Sequence, residues 1–321
     1  MSARAYELPS HCLAAVAIAL AAPACAIRAA SPGATFATPA DATAPEPSRG
    51  CLAPERDVAG WHALTVGGRE RRYLLRLPPS TKGPLPLVLN FHGWLESAAL
   101  QEKLSFMTEA AAARGMAVVY PEGLGESWNA GGCCGLAWET RVDDVAFVRA
   151  LVRELTGTLC VDARRIFAAG MSNGALFSDR LACEASDVFA AIAPVAGTES
   201  LPSCRPPRAV PVMAFHGTWD FVVPYRGLGG FPGALELSAR WAERDGCASP
   251  AARRVYERGD TRCDAADRCR GGTEVVLCTV ERGGHTWPGG AIVPHLGHTT
   301  SDLDATEAML DFFLAHPLRG F

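Results

Sequence analysis

The pentapeptide Gly170-Met171-Ser172-Asn173-Gly174 constrains this chain more than any other stretch. The apolar run Arg165-Ile166-Phe167-Ala168-Ala169 ahead of it reads as a short buried strand. Behind it, Ala175 to Cys183 carries apolar residues at helical spacing. A G-x-S-x-G that joins a strand to a helix is a nucleophile elbow. The turn is tight, so glycines flank the serine wherever a Cβ would clash. Ser172 is thereby lifted out of the backbone above a helix N-terminus, where developing negative charge is favoured. A glycine-rich turn without chemistry is the plain alternative, and the strand and helix on either side argue against it.

The 321 residues, 49% hydrophobic and 20% charged, suit a globular protein with a sizeable core. A formal net charge of -4, a pI near 6.1 and the lack of any basic cluster give no electrostatic reason to expect nucleic acid. Arg4 followed by the apolar stretch from Leu13 to Ala22 and by Pro23-Ala24-Cys25-Ala26 predicts a signal peptide over residues 1–26. That stretch is too short and too rich in alanine for a stable membrane span. Lipid attachment at Cys25 is the alternative, although the residues before it match such a site poorly. Of the 12 cysteines, setting aside Cys12 and Cys25 leaves ten, an even number that predicts disulfides in an oxidising compartment. The expected location is therefore outside the cell or in a periplasm. No C-x-x-C pair with zinc-binding spacing occurs, which argues against a structural metal. Cys133 and Cys134, being adjacent, are expected to take different partners.

Residues 27–50 are rich in Ala, Thr, Pro and Ser and predict a flexible leader, with a single catalytic domain over 51–321. Within that domain Trp61 to Val66, Gly67-Gly68 and Arg71 to Leu77 read as a hairpin. Strands are expected at Leu85–Phe91, Ala117–Tyr120, Phe189–Ala196, Pro211–His216 and Glu274–Val280. Helices are expected at Leu104–Arg114, Asp143–Thr156, Leu235–Asp245 and Asp304–Leu314, and a long loop over Pro121–Arg141. The acidic pair Asp143-Asp144 reads as helix capping rather than a metal site. Alternating strands and helices predict an α/β, doubly wound, mostly parallel sheet.

A serine hydroxyl needs a base to take its proton, and the base needs an acid to fix its tautomer. After Ser172 the sequence supplies both in turn. Asp220 closes Phe215-His216-Gly217-Thr218-Trp219-Asp220 at a strand end, and His285 lies in the glycine-rich Gly283-Gly284-His285-Thr286-Trp287-Pro288-Gly289 after another. Open α/β sheets place their sites at such C-terminal strand ends. Asp187, Asp245 and Asp264 are worse placed for the acid. His216 reads as structural, His62 and His316 lie away from the site, and His295 with His298 lacks a third ligand for a metal. The oxyanion donors are expected to be the main-chain N–H groups of Asn173, after the nucleophile, and of Trp94, after the strand ending at His92-Gly93. Trp128, Trp219 and Trp287 lie in loops near the expected mouth. Ordinary loop packing is the plain account of each, and together they are candidate substrate contacts.

These blocks resemble the secreted polyhydroxybutyrate depolymerase and feruloyl esterase family of α/β-hydrolases over most of residues 51–321. The resemblance rests on His92-Gly93, Ser127-Trp128-Asn129-Ala130-Gly131-Gly132-Cys133-Cys134-Gly135, the elbow, His216-Gly217-Thr218-Trp219-Asp220 with Val223-Pro224-Tyr225, and Gly283-Gly284-His285-Thr286-Trp287-Pro288-Gly289. It implies a serine carboxylesterase that works through an acyl-enzyme with Ser172 as nucleophile, Asp220 as acid and His285 as base, and with no cofactor or metal. Trp94 departs from the cysteine that often follows His-Gly in this family, and Cys263 and Cys278 make the C-terminal cysteine set unusual. No polymer-binding domain is expected after the last helix, which favours soluble oligomers, amorphous polyester and plant-wall phenolic esters over crystalline polymer. The competing functions are a secreted serine peptidase of the same fold and a non-catalytic binding protein on a hydrolase scaffold.

Overall fold

The computed structural model describes residues 44–52, 58–80, 83–248 and 253–319. The expected signal peptide and residues 27–43 of the expected leader lie outside them. The last residues of that leader depart from expectation. Ser48 donates its hydroxyl to the Leu159 carbonyl at 2.9 Å and its N–H to the Val161 carbonyl at 2.8 Å. Pro47 bridges to Asp162, so chain packed on the domain begins ahead of Cys51.

Strands β1 (Gly60–Val66) and β2 (Arg69–Arg76) form the expected hairpin. Its turn, Gly67-Gly68, has φ of 58° and 77°, the left-handed pair that a two-residue hairpin turn demands. There follow β3 (Leu85–Phe91), α1 (Ala98–Ser105), α2 (Met107–Ala113), β4 (Ala117–Pro121), α3 (Gly135–Glu139) and α4 (Asp144–Thr158). Next come β5 (Val161–Met171), α5 (Asn173–Glu184), β6 (Ala191–Val195), β7 (Val212–Gly217) and α6 (Ala234–Arg244). The chain closes with β8 (Arg253–Arg258), β9 (Thr261–Ala266), β10 (Val275–Val280) and α7 (Ala305–Ala315).

All ten strands join one sheet in the order β1-β2-β4-β3-β5-β6-β7-β10-β9-β8. From β4 to β10 the neighbours run parallel, and antiparallel pairs finish both edges. The doubly wound, mostly parallel sheet is thus the one expected. Each face carries its own apolar layer, one centred on Phe91, Trp128, Phe177 and Trp241, the other on Phe167, Phe215, Trp287 and Phe313. Strands buried on both faces read as continuous apolar runs, which is why β3, β4, β6 and β10 stand out in the sequence.

Three local expectations are corrected. The helix foreseen over Leu104–Arg114 is two helices, broken where Phe106 turns left-handed at φ 52°. β8 and β9 were not foreseen, because β8 reads Arg-Arg-Val-Tyr-Glu-Arg and no residue of it is fully buried. Cys133 and Cys134 pair with each other. The other eight described cysteines are engaged as Cys51–Cys160, Cys183–Cys204, Cys247–Cys269 and Cys263–Cys278, so among the described residues no other partner is left for either. Cys263 and Cys278 lie directly opposite each other on β9 and β10.

Candidate active site

β5 delivers Ser172 to the C-terminal edge of the parallel sheet, where α5 begins at the next residue. Ser172 holds φ 55° and ψ -120°. That conformation is costly for a residue with a side chain, and is sustained only where the surroundings dictate it. The surroundings here are backbone. A Cβ at Gly170 would lie 2.6 Å from the Gly174 carbonyl oxygen, and one at Gly174 would lie 2.2 Å from the Phe91 carbonyl oxygen. Both glycines let the elbow close onto the end of β3, as the motif requires. The Ser172 N–H is donated to the Val195 carbonyl at 3.0 Å, which ties the turn to β6 as well.

Asp220 and His285 meet at the ends of β7 and β10. His285 Nδ1 lies 2.8 Å from Asp220 Oδ2, with both residues buried. The other carboxylate oxygen accepts the N–H groups of Val222 and Val223 at 2.9 and 2.8 Å. His216 also faces the carboxylate, its Nε2 3.4 Å from Oδ2 while bonded to the Val223 carbonyl at 2.8 Å. Burial alone would raise Asp220, but the hydrogen bonds from His216 and His285 outweigh it and hold the carboxyl well below the usual carboxylate range. An ionised Asp220 only accepts, so His285 carries a proton on Nδ1, and in the neutral imidazole Nε2 is then the acceptor. The two loops are cross-tied: Trp219 donates its N–H to the Gly283 carbonyl at 2.9 Å, and a Cβ at Gly217 would meet that oxygen at 2.2 Å.

A strap from Leu296 to His298 fixes the other side of the His285 loop. The N–H groups of Gly284 and His285 are donated to the His298 and Leu296 carbonyls at 2.9 and 2.8 Å, and the Thr286 hydroxyl to the His298 carbonyl at 3.1 Å. The His298 ring is held on Asp260 at 2.6 Å, which makes it part of the buttress. Among the described residues Ser172 makes no hydrogen bond to His285; what the structure brings into contact is the acid and the histidine, with the serine on the same sheet edge.

Of the two expected oxyanion donors, Asn173 opens α5 directly after the serine, and Trp94 follows the end of β3, on whose Phe91 and His92 carbonyls the elbow closes. Among the described residues, neither the Asn173 nor the Trp94 N–H is taken by a hydrogen bond, whereas the neighbouring Gly93 and Leu95 N–H groups go to Glu96 and to the Glu126 carbonyl. The Asn173 side chain does a different job, clasping the Trp128 backbone through its amide oxygen at 2.7 Å and its amide nitrogen at 3.0 Å. His92 is the satisfied strand-end histidine. Its Nδ1 donates to the Gly93 carbonyl at 2.7 Å and its Nε2 accepts the Gly123 N–H at 2.9 Å, while burial lowers its pKa to about 4. Glu96, which the sequence did not single out, sits against this loop. Its carboxyl is raised by burial, and the Gly93 N–H and the nearby His285 pull it back.

The tryptophans divide. Trp128 and Trp287 are fully buried and have no surface to offer a substrate, so both are withdrawn as contacts. Trp128 stacks on Phe177 with centroids 5.1 Å apart and donates its indole N–H to the His92 carbonyl at 3.1 Å. Trp287 donates to the Thr306 hydroxyl at 2.9 Å. Trp219, at 67% exposure, and Trp94, at 37%, do face solvent, together with Phe221, Val222 and Leu95 in the loops that follow β3 and β7 and Trp138 in the short helix α3. The Ser127–Gly135 loop is framework. Asn129 donates its N–H to Asp144 at 2.8 Å, and Asp144 makes a buried ion pair with Arg71 at 2.8 Å. Asp143 caps α4 as expected, by accepting the Ala146 N–H at 2.9 Å, but Asp144 serves this pair instead. The one acid–thiol grouping among the described residues, Cys183, Cys204 and Glu199, is unsuited to a metal: the cysteines are bonded to each other and Glu199 is paired with Arg244.

A mostly parallel sheet with an elbow serine, an acid and a histidine at the C-terminal ends of β5, β7 and β10 defines an α/β-hydrolase fold. Comparison with solved structures agrees on the fold: acetyl xylan esterase from Aspergillus awamori superposes with a TM-score of 0.56 at 13% identity, over 71% of this chain and 94% of that one. Native pOPH superposes at 0.54 and 17% identity, over 83% and 89%. In sequence, a family model described as esterase PHB depolymerase matches residues 71–214. The chain is 34% identical to the putative esterase NocK of Nocardia uniformis subsp. tsuyamanensis over 284 residues, 78% of this chain and 81% of that protein. It is 34% identical to feruloyl esterase B of Piromyces equi over 235 residues, which are 67% of this chain but only 42% of the length of that enzyme. The chain belongs to the polyhydroxybutyrate depolymerase esterase family.

Proposed function

We propose that the protein is a secreted serine carboxylesterase, with one catalytic domain that hydrolyses esters of hydroxyalkanoate or phenolic acids through an acyl-enzyme. The observation that carries this is the 2.8 Å contact between His285 Nδ1 and an ionised Asp220, on the sheet edge where Ser172 is held in its elbow. His285 Nε2 takes the hydroxyl proton as Ser172 Oγ attacks the ester carbonyl carbon. The N–H groups of Asn173 and Trp94 receive the oxyanion. As the C–O bond breaks, the imidazolium returns the proton to the departing alkoxide, leaving an ester on Ser172. Water then attacks that ester with His285 again as base, and releases the carboxylic acid and free serine. Neither metal nor cofactor has a part in this sequence.

Exposed Trp94, Trp219 and Phe221 around the expected mouth favour an acyl group with an apolar or aromatic face. The named relatives, a feruloyl esterase and an acetyl xylan esterase among them, are consistent with ester substrates, and the disulfides with an oxidising compartment. The test is Ser172-dependent release of ferulate from feruloylated arabinoxylan against 3-hydroxybutyrate from amorphous polyester. Dominant ferulate assigns a plant-wall esterase, dominant hydroxybutyrate a polyester or oligomer depolymerase, and release that survives Ser172→Ala ends the proposal.

A further inference from the structure

At the opposite edge of the sheet from Ser172, where β6 and β7 begin, lies a cavity of about 250 Å³. Arg208, Arg270 and Arg319 line it, with Ala190, Pro211 and Pro317 between them and buried His316 at one side. Elsewhere, partly buried arginines meet carboxylates: Arg71 pairs with Asp144, Arg114 with Asp311 and Arg244 with Glu199. Among the described residues these three make no ion pair; Arg208 is half-buried, and Arg270 and Arg319 are exposed.

Arg208 is the most telling of them. Its guanidinium donates to the main-chain carbonyls of Ser186 at 2.7 Å, Ala209 at 2.6 Å, Ala190 at 3.1 Å and Phe189. Those four bonds leave one Nη1 N–H open and do not neutralise its charge, and a charge taken from water without a contact ion pair is expensive. Burial accordingly pushes the group down to about 10, against the pull of Asp245 and Asp187. Asp187 is already paired with Arg149, and the Asp245 carboxylate, held by the Val210 N–H and the Thr273 hydroxyl, each at 3.0 Å, is shared between Arg208 and Arg270, so one anion serves two of the three guanidiniums. The other two guanidiniums lie on bare backbone. A Cβ at Gly246 would stand 3.0 Å from Arg270 Nε, and one at Gly272 3.0 Å from Arg319 Nη1.

We propose that this cavity is a binding site for a small organic carboxylate, its charge met by Arg208, Arg270 and Arg319 and its apolar body by the half-buried Ala209 and Pro317. Guanidinium groups match carboxylate geometry, and the apolar surface of Ala209 and Pro317 offers an inorganic oxyanion nothing. The site stands apart from the esterase chemistry and does not depend on it.

The test is calorimetric titration of the full chain with ferulate, with 3-hydroxybutyrate and with inorganic phosphate, repeated on Arg270→Ala/Arg319→Ala and on Arg319→Ala alone. The thermal midpoint of each variant without ligand checks that it folds. The proposal expects at least one organic acid to bind more tightly than phosphate, and its affinity to fall about tenfold or more in the double variant. Saturable binding by neither acid, tighter binding of phosphate, or unchanged affinity in the folded variants would overturn it; the last would place the ligand elsewhere, at the catalytic edge for example.

Discussion

Trp128 and Trp219 both sit in loops at the C-terminal edge of the sheet, within the blocks that mark the family, yet one is core and the other is surface. Trp128 is wholly buried, stacked on Phe177, with its indole N–H on the His92 carbonyl. Trp219 is 67% exposed although it stands next to the buried Asp220. The difference lies in what each loop is for. The Ser127–Gly135 loop is pulled inward by the Asn173 clasp, Asp144 and Arg180, so its tryptophan completes the layer behind the elbow. The Gly217–Asp220 turn is held through main-chain contacts to Gly283, which leaves its side chains free to face outward. Proximity to the chemistry in sequence therefore says little about contact with a substrate; the partner of the indole N–H says more.

Substitutions put this contrast at risk in proportion to their size. Trp128→Ala should destabilise the protein by about 3–5 kcal/mol in urea unfolding, the usual cost of emptying a core aromatic site. A variant of near wild-type stability would place Trp128 outside the framework. Trp241 extends the buried set, since its indole N–H reaches Asp179 at 2.7 Å, while the second oxygen of that carboxyl has no hydrogen-bond partner among the described residues. Burial, with Glu199 nearby, pushes Asp179 from 3.8 to about 7. A carboxyl raised on folding contributes full stability below its unfolded value and loses it as pH rises through the folded one. Asp179→Asn should therefore gain stability near about pH 8, on the order of 3–4 kcal/mol, and gain almost nothing near about pH 4. An equal effect at both pH values would refute the ionisation account. Trp287→Phe keeps a ring and loses the bond to Thr306, so a loss of about 1 kcal/mol is expected from the unfolding midpoint. Smallest is Trp219→Ala, expected to leave stability within about 0.5 kcal/mol while raising KM for aromatic esters. A large stability loss with unchanged KM would reverse the assignment of the two tryptophans.

Much of the fold was readable because strands buried on both faces leave apolar runs that charged neighbours interrupt. The elbow was readable for a sharper reason: Gly170 and Gly174 press on the Phe91 carbonyl, and a contact made by the lack of a side chain leaves an unmistakable residue type. Asp220 and His285 were readable as polar residues in glycine-rich turns after strands, and the structure brings them together. What stayed hidden depends on pairing across the chain. β8 has a charged sequence because it is an edge strand, and nothing local distinguishes it from a loop. The break at Phe106 interrupts a helical pattern without glycine or proline. Asp144 looked like a capping residue because its partner, Arg71, lies 73 positions away. The same holds for Glu96, whose place beside Gly93 and His285 no motif announces.

The decisive measurement is fluorophosphonate labelling and ester hydrolysis by the purified protein, side by side with Ser172→Ala and Asp220→Asn. The account predicts one label on Ser172, a loss of about a millionfold in kcat for Ser172→Ala and about 10⁴ for Asp220→Asn, with all three proteins folded. Hydrolysis that persists in folded Ser172→Ala, or a label that lands on another residue, would contradict it.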